Sequence, residues 1–305
     1  MGAHPGDAVV VYDALTYAGR RESLVDLEQA HLVTFVHGDI CDPDQLEKSL
    51  RSTDLVIHLA AESHNDRAIA NPLRFLHTNV MGTATLVEAC RKADVGRLHH
   101  VSTDEVFGSL ALDDPMRFTE NTPYDPQGPY SASKAGSDHV MRAWAHTYGL
   151  RVTISNCGNN FGPYQFPEKL IPLAITSVIR DAKVPVYGDG KNVRDWIYVE
   201  DHCTAIDAIT KKGSTGRTYV VSAGNELPNL EVISRILRIM KRGPDSIEYV
   251  KDRAGHDRRY GLDPARIRSE LGWAPRFAFD EALSATVKWY VAHPDWWKPL
   301  LNGSG

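Results

Sequence analysis

The chain has 305 residues, 42% hydrophobic and 24% charged, which is enough apolar side chain to bury the core of one large domain or two modest ones and excludes a disordered chain. A formal net charge of -5, with acids and bases interspersed, excludes the continuous basic face that nucleic acid requires. No stretch approaches the ~18 unbroken apolar residues of a membrane span, and the opening Met1-Gly2-Ala3-His4-Pro5 lacks the parts of a signal peptide, so a cytoplasmic setting without a membrane partner is expected.

The first predicted strand is Val9–Tyr12, closed by Asp13, and Val33–Val36 is the next. A helix over 44–50, a strand over Leu55–His58, a long helix over Leu73–Lys92, a strand over Leu98–Val101, a helix over Ser131–Tyr148 and a strand over Val152–Ile154 follow. Apolar residues recur every three or four positions in the helices, and the strands alternate with them. This predicts an α/β fold with a Rossmann-type, doubly wound parallel sheet. After about Asn160 the elements shorten: a helix over Leu170–Ile179, a strand over Trp196–Val199, and helices over Glu231–Met240 and Phe279–Tyr290. The expected division is an NAD-binding domain over residues 1–160 and a smaller, mainly substrate-binding C-terminal lobe over 161–305, with some segments returning to the first domain. Cys41, Cys90, Cys157 and Cys203 show no C-x-x-C spacing and read as reduced thiols in or near the core.

Asp13 stands where a dinucleotide fold places the carboxylate that accepts ribose hydroxyls, which favours NAD; the alternative is a turn or helix cap. His37-Gly38-Asp39-Ile40 and Leu59-Ala60-Ala61-Glu62-Ser63 place small residues at the next strand ends, where a cofactor approaches the backbone. A Rossmann sheet opens with a strand running into a Gly-rich turn, and none precedes Asp13. The stretch around Gly2 and Gly6 reads as the tail of a first crossover helix. The expectation is therefore that the first strand and its turn are missing from this sequence, that two ladder edges stay unpaired at ~1 kcal/mol or more per lost hydrogen bond, and that these 305 residues alone hold NAD poorly.

Tyr130-Ser131-Ala132-Ser133-Lys134 sets a phenol and an ammonium four residues apart at a helix start, hence on one face. A phenol must fall by roughly 3 units to act as a base near neutrality, and positive charge from Lys134 and an oxidised nicotinamide has the right sign. Thr103-Asp104-Glu105 closes a strand with two adjacent carboxyls, where active-site groups gather in open α/β sheets, the bland alternative being a solvated turn. Two carboxyls in unlike environments can serve as acid and base for an elimination of water. The adjacent His99 and His100 point to opposite faces of a strand, and no metal site is expected from them or from His64-Asn65-Asp66.

Ala60-Ala61-Glu62-Ser63-His64, Ser102-Thr103-Asp104-Glu105-Val106, the Tyr130–Lys134 run, Asn159-Asn160-Phe161-Gly162-Pro163, Pro167-Glu168-Lys169-Leu170-Ile171-Pro172, Gly255-His256-Asp257-Arg258-Arg259-Tyr260 and Trp296-Trp297-Lys298-Pro299-Leu300 together resemble the dTDP-glucose 4,6-dehydratase family, an extended branch of the short-chain dehydrogenase/reductases. The resemblance spans essentially the whole chain. It implies oxidation at C4 of dTDP-glucose, loss of water across C5 and C6, and return of the hydride to C6. It implies Tyr130 as base at the C4 hydroxyl, Lys134 as its partner and ribose ligand, Thr103 as donor to the same oxygen, Asp104 as acid at the C6 hydroxyl and Glu105 as base at C5. NAD contacts would fall on Asp13, Thr16, Asp39, Ile40, Ala60, Ala61, Ser63, Thr78, Tyr130, Lys134 and Asn160. Nucleotide-sugar contacts would fall on Ser63, Thr103, Asn159, Glu168, Lys169, Leu170, Pro172, Arg194, Asn229, Asp252 and His256. Arg194 can offer a planar fork to a diphosphate, or else pair with Asp195 or Glu200. A homodimer packed through the helices 73–92 and 131–148 is also implied. The chain departs from the family pattern at Asn65, where an aliphatic residue is usual, at Phe107 and Phe161 for Tyr, at Gly158 for Ser and at Phe166 for His. The rival readings are a nucleotide-sugar 4-epimerase, which has no use for Asp104 and Glu105, and a catalytically silent sugar-nucleotide binding module.

Overall fold

The computed structural model describes residues 4–302. Met1, Gly2 and Ala3 lie outside the described residues, and His4–Val9 form a turn and extended chain in place of the expected helix tail. Pro5-Gly6 is turn chemistry, and Asp7 N donates to His4 O at 3.2 Å.

The strands are β1 (Val10–Asp13), β2 (Thr34–His37), β3 (Leu55–His58), β4 (Arg97–Thr103), β5 (Val152–Cys157) and β6 (Asn159–Phe161). The later ones are β7 (Val184–Tyr187), β8 (Val193–Tyr198), β9 (Thr218–Val221), β10 (Glu226–Pro228) and β11 (Ile247–Val250). β1 and β2 pair in parallel, Asp13 opposite His37. A second parallel ladder runs β3-β4-β5-β9, so a strand from the second half of the chain completes the sheet begun by the first. Among the described residues no ladder joins β1 to β3, and Val10, Leu55 and Ile57 are 53%, 39% and 41% exposed.

Both faces of the four-stranded sheet are covered. On one, Leu86, Val87, Cys90 and Met141 from the helices Thr83–Lys92 and Pro129–Tyr148 pack on Leu98, Val152 and Ile154. On the other, Ala205 and Ile209 of the helix Val199–Lys212 pack on Cys157, Tyr219 and Val221. Each fully buried aliphatic side chain contributes ~1.5–3 kcal/mol, and the buried polar residues between them in β4 and β5, among them His99, Thr153 and Ser155, hydrogen-bond one another. Cys203, expected in or near the core, is exposed on the outer face of the helix Val199–Lys212.

The predicted helix over Leu73–Lys92 is interrupted. It is α over Pro72–Phe75, π over Leu76–Gly82 and α again over Thr83–Lys92. The wide turn holds Asn79, whose Nδ2 donates to Glu62 O at 2.9 Å and Ser133 Oγ at 2.8 Å while its Oδ1 accepts from Glu62 N at 2.8 Å. One side chain thus ties the loop after β3 to the helix that carries Tyr130.

The smaller body has its own core of Ile175, Trp196, Val232, Ile236, Tyr290 and Trp297. It is built on the sheet β10-β8-β6, antiparallel at β10-β8 and parallel at β6-β8, and on the β7-β11 pair.

Candidate active site

β4 ends at Thr103, and the chain turns at once into a single 3-10 turn, Asp104–Phe107. Thr103 Oγ1 caps that turn by accepting from Glu105 N at 3.3 Å. The turn sends Asp104 inward, 1% exposed, and Glu105 into a neighbouring cleft. The helix Pro129–Tyr148 starts beside it, with Gly128 extended, Pro129 at the first position and Ser131 Oγ accepting from Gly128 N at 3.0 Å. Tyr130 and Lys134 follow, both buried and one turn apart on the same face. Thr103 hydrogen-bonds the Tyr130 phenol, and its hydroxyl stands 3.2 Å from Asp104 Oδ1.

The cleft holds about 330 Å³. Of the residues singled out in the sequence, Glu105, Leu170, Arg194, Asn229 and His256 line it. Arg194 lies over the Tyr260 ring at 4.2 Å and donates to the carbonyls of Val193 and Asp257 at 2.8 and 2.9 Å. Neither Asp195 nor Glu200 pairs with it among the described residues. Asp252 stands outside the lining and acts through His256, Oδ1 to Nδ1 at 2.6 Å. Lys169 Nζ donates to Ser63 O at 2.7 Å, and Glu168 pairs with Arg67 at 3.0 Å, so these two tie the halves of the molecule together. Pro172 is buried in the helix Leu170–Ile179. Asp104 Oδ2, Asn159 Oδ1, Glu168 Oε1 and Asn229 Oδ1 are buried and have no protein partner among the described residues. An unpaired buried acceptor costs ~1–3 kcal/mol, a cost that a polyhydroxylated ligand would relieve.

Burial raises both carboxyls, but unequally. Asp104 is pushed well above the carboxylate range by burial, by Glu105 and by Asp195. Glu105 is raised by burial and pulled back by the Asn65 amide and by Arg194. In the protein alone the Tyr130 phenol is raised, because burial and the neighbouring Glu105 and Cys157 outweigh the hydrogen bond from Thr103, so the lowering expected for a base calls on the charge of the oxidised nicotinamide. Lys134 is lowered by burial, with Asp138 opposing that shift.

Of the residues expected around NAD, Asp13 ends β1, Thr16, Asp39, Ile40, Ala60, Ala61 and Ser63 follow the carboxyl ends of β1, β2 and β3, and Asn160 lies within β6. The Asp13 carboxylate accepts from Leu15 N at 2.7 Å, which is the turn role, and remains exposed. Asp39 does the same for Cys41 N at 2.8 Å, with Ile40 buried behind it. Thr16 and Ala60 are exposed, Ala61 and Ser63 half-buried, and Thr78 sits in the π turn. Asn160 Oδ1 lies 2.8 Å from His202 Nδ1. Lys134 Nζ gives one of its three N–H bonds to Val101 O at 2.8 Å, which leaves two for ligand hydroxyls. This donor set, with two exposed carboxylates and small residues at the strand ends, fits a ribose-bearing cofactor.

Sequence reasoning missed Asn65 as a contact, together with Gln127, Arg253, Asp257 and Tyr260, all of which line the cleft. Asp257 and Tyr260 belong to the Gly255–Tyr260 motif and were within reach. Arg253 had no local signal: it is held by Asp66 at 2.7 Å and stacks on Tyr187 at 4.3 Å, both remote in sequence.

Fold and site define a Rossmann-type enzyme with acid–base groups at the carboxyl end of its sheet. A family model described as GDP-mannose 4,6 dehydratase matches residues 5–286. The chain is 54% identical over 302 residues to a dTDP-glucose 4,6-dehydratase of Mycobacterium tuberculosis, covering 99% of this chain and 90% of that one. It is 44% identical over 327 residues to the Escherichia coli dTDP-glucose 4,6-dehydratase, covering 98% and 90%. The crystal structure of DesIV, a dTDP-glucose 4,6-dehydratase from Streptomyces venezuelae solved with NAD bound, superposes with a TM-score of 0.95 at 47% identity and covers 98% of this chain and 93% of that one. The chain belongs to the dTDP-glucose 4,6-dehydratase family.

Proposed function

We propose that the protein converts dTDP-glucose to dTDP-4-keto-6-deoxyglucose and water, with NAD as a cofactor regenerated in each turnover. The observation that carries this is the placement of two adjacent carboxyls beside Tyr130 and Lys134, Asp104 buried with one oxygen lacking a protein partner among the described residues and Glu105 lining the cleft. The domain assignment goes with it: the doubly wound part, residues 1–160 with β9, takes NAD, and the body built mainly from 161–305 holds the nucleotide-sugar.

Tyr130 takes the proton of the C4 hydroxyl while Thr103 holds that oxygen and Lys134 supplies positive charge one turn away. Bound NAD would accept the C4 hydride and return it to C6. The new C4 carbonyl acidifies the C5 hydrogen, which Glu105 removes. The C5–H electron pair forms the C5=C6 bond as the C6–O bond breaks, and Asp104, whose protonated form burial favours, protonates the leaving oxygen to give water. Glu105 then returns a proton to C5. Arg194 and Asn229 in the cleft, with Asn159, Glu168, Lys169 and His256 around it, fit the diphosphate and sugar. The NAD side uses Asp13, Thr16, Asp39, Ile40, Ala60, Ala61, Ser63, Thr78 and Asn160 in the positions described.

The test is the mass of the product after incubation with dTDP-glucose and NAD, together with exchange of the C5 hydrogen in deuterated water. Loss of one water is expected, and Glu105→Gln is expected to abolish C5 exchange while C4 oxidation persists. A product of unchanged mass would favour the epimerase, and exchange at full rate in the variant would remove Glu105 as base. We also propose a homodimer formed through the helical face that leaves Leu73, Leu76 and Met81 exposed, in a cytoplasmic setting.

A further inference from the structure

Glu105 has one side-chain hydrogen-bond donor to its carboxylate among the described residues: Asn65, whose Nδ2 stands 3.2 Å from Oε2. Asn65 is the first residue of the short helix Asn65–Ala70 and, like Glu105, lines the cleft. Its neighbour Asp66 anchors that helix to Arg253 and to the Tyr187 hydroxyl, at 2.7 and 3.3 Å, so the amide is held in place. The charged groups that face Glu105 come from several elements. Asp104 precedes it, and Tyr130 approaches from the helix Pro129–Tyr148. Arg194 faces it from β8, Lys169 from ahead of the helix Leu170–Ile179, and Asp257 and Tyr260 from the segment after β11. Arg253 and His256 share the cleft wall. Arg194 and Lys169 act on Glu105 through space only, their hydrogen bonds going to the carbonyls of Val193 and Asp257 and to Ser63.

We propose that Asn65 is a positioning residue for the C5 proton transfer, its amide fixing Oε2 of Glu105 so that Oε1 faces the sugar, and setting the lowest pH at which that transfer runs. This rests on the reading of Glu105 as the C5 base. The reason is electrostatic. Burial works against the charged carboxylate, and an N–H donor works for it. An amide does not titrate, so it gives this support at every working pH, which neither an acid nor an imidazole would do. An aliphatic side chain here, the residue usual in the family pattern, would fill the space and give no support.

The experiment follows deuterium incorporation at C5 against pH for the whole chain with dTDP-glucose and NAD, in wild type, Asn65→Val and Glu105→Gln. C4 oxidation, read by nicotinamide absorbance, serves as the internal reference. A donor to a charged carboxylate holds its titration down by about one unit. The midpoint of the acidic limb of exchange in Asn65→Val is therefore expected to move up by about one pH unit. Below the wild-type midpoint, exchange relative to C4 oxidation is expected to fall about tenfold. A midpoint does not depend on how much enzyme is folded, and Asn65→Ala carries the same expectation should the Val variant be too unstable to purify. A limb that stays in place while exchange falls equally at all pH values would mean a merely structural Asn65 and overturn the proposal. Wild-type exchange in Glu105→Gln would overturn the base assignment, and this proposal with it.

Discussion

Asp104 and Glu105 are neighbours in sequence and strangers in environment. Asp104 is 1% exposed with one carboxyl oxygen unpartnered, while Glu105 reaches the cleft and meets an amide and an arginine. The sequence could locate both, because two carboxyls at a strand end and a Tyr and Lys one helical turn apart are local patterns. It singled out Asn65 as a departure from the family pattern but could not pair it with Glu105, 40 residues away. Departures from the family pattern have physical readings as well. Phe107 stacks on Phe118 at 5.3 Å and meets Tyr124 edge-on at 5.4 Å, in apolar surroundings that give a hydroxyl little to bond. Gly158 is explained by contact: a Cβ there would lie 2.5 Å from the Asp195 carbonyl oxygen. Gly158→Ser is therefore expected to destabilise the fold by ~1–3 kcal/mol, read as a lower urea midpoint at unchanged m-value.

Among the elements, β3 and the helix Leu170–Ile179 coincide with their predicted spans, because apolar periodicity and flanking turn residues define both. β4 extends beyond the apolar Leu98–Val101 run through the buried but polar Ser102 and Thr103, to the strand end at which the two carboxyls were expected. The π turn within 72–92 was invisible, since one added residue barely disturbs a 3.6-residue pattern. β4 also carries a pH liability. His99 bonds Thr153 and Ser155 on one face and His100 bonds Ser137 on the other, and burial lowers them to about 3 and about 4. An unfolded histidine titrates near 6.5, so below that the unfolded chain binds more protons than the folded one and stability falls as pH drops toward these values. Between pH 7 and pH 5 each ring is expected to remove about 2 kcal/mol. Urea unfolding across that range would show it, and His99→Gln should flatten the dependence.

On the scale of the molecule, the doubly wound plan was legible because strands and amphipathic helices alternate, and the return of β9 to the first sheet was foreseen only as an unspecified segment. Pairings between remote segments leave no trace in composition or period. The surface raises the question of assembly: Leu73 is 74% exposed and Met81 58%, on the helical face proposed to pair with a second copy. Leu73→Glu is expected to convert a dimer into a monomer by light scattering at micromolar concentration, and a wild-type monomer would refute the dimer. Asn65 and Asp66 stand side by side on one short helix, the first holding Glu105 and the second holding Arg253 of the segment that walls the cleft. The base and one wall of the cleft are thus tied to adjacent positions of one helix. A change that displaces this helix is therefore expected to disturb the base and the cleft wall together, whereas a change at either partner alone leaves the other held.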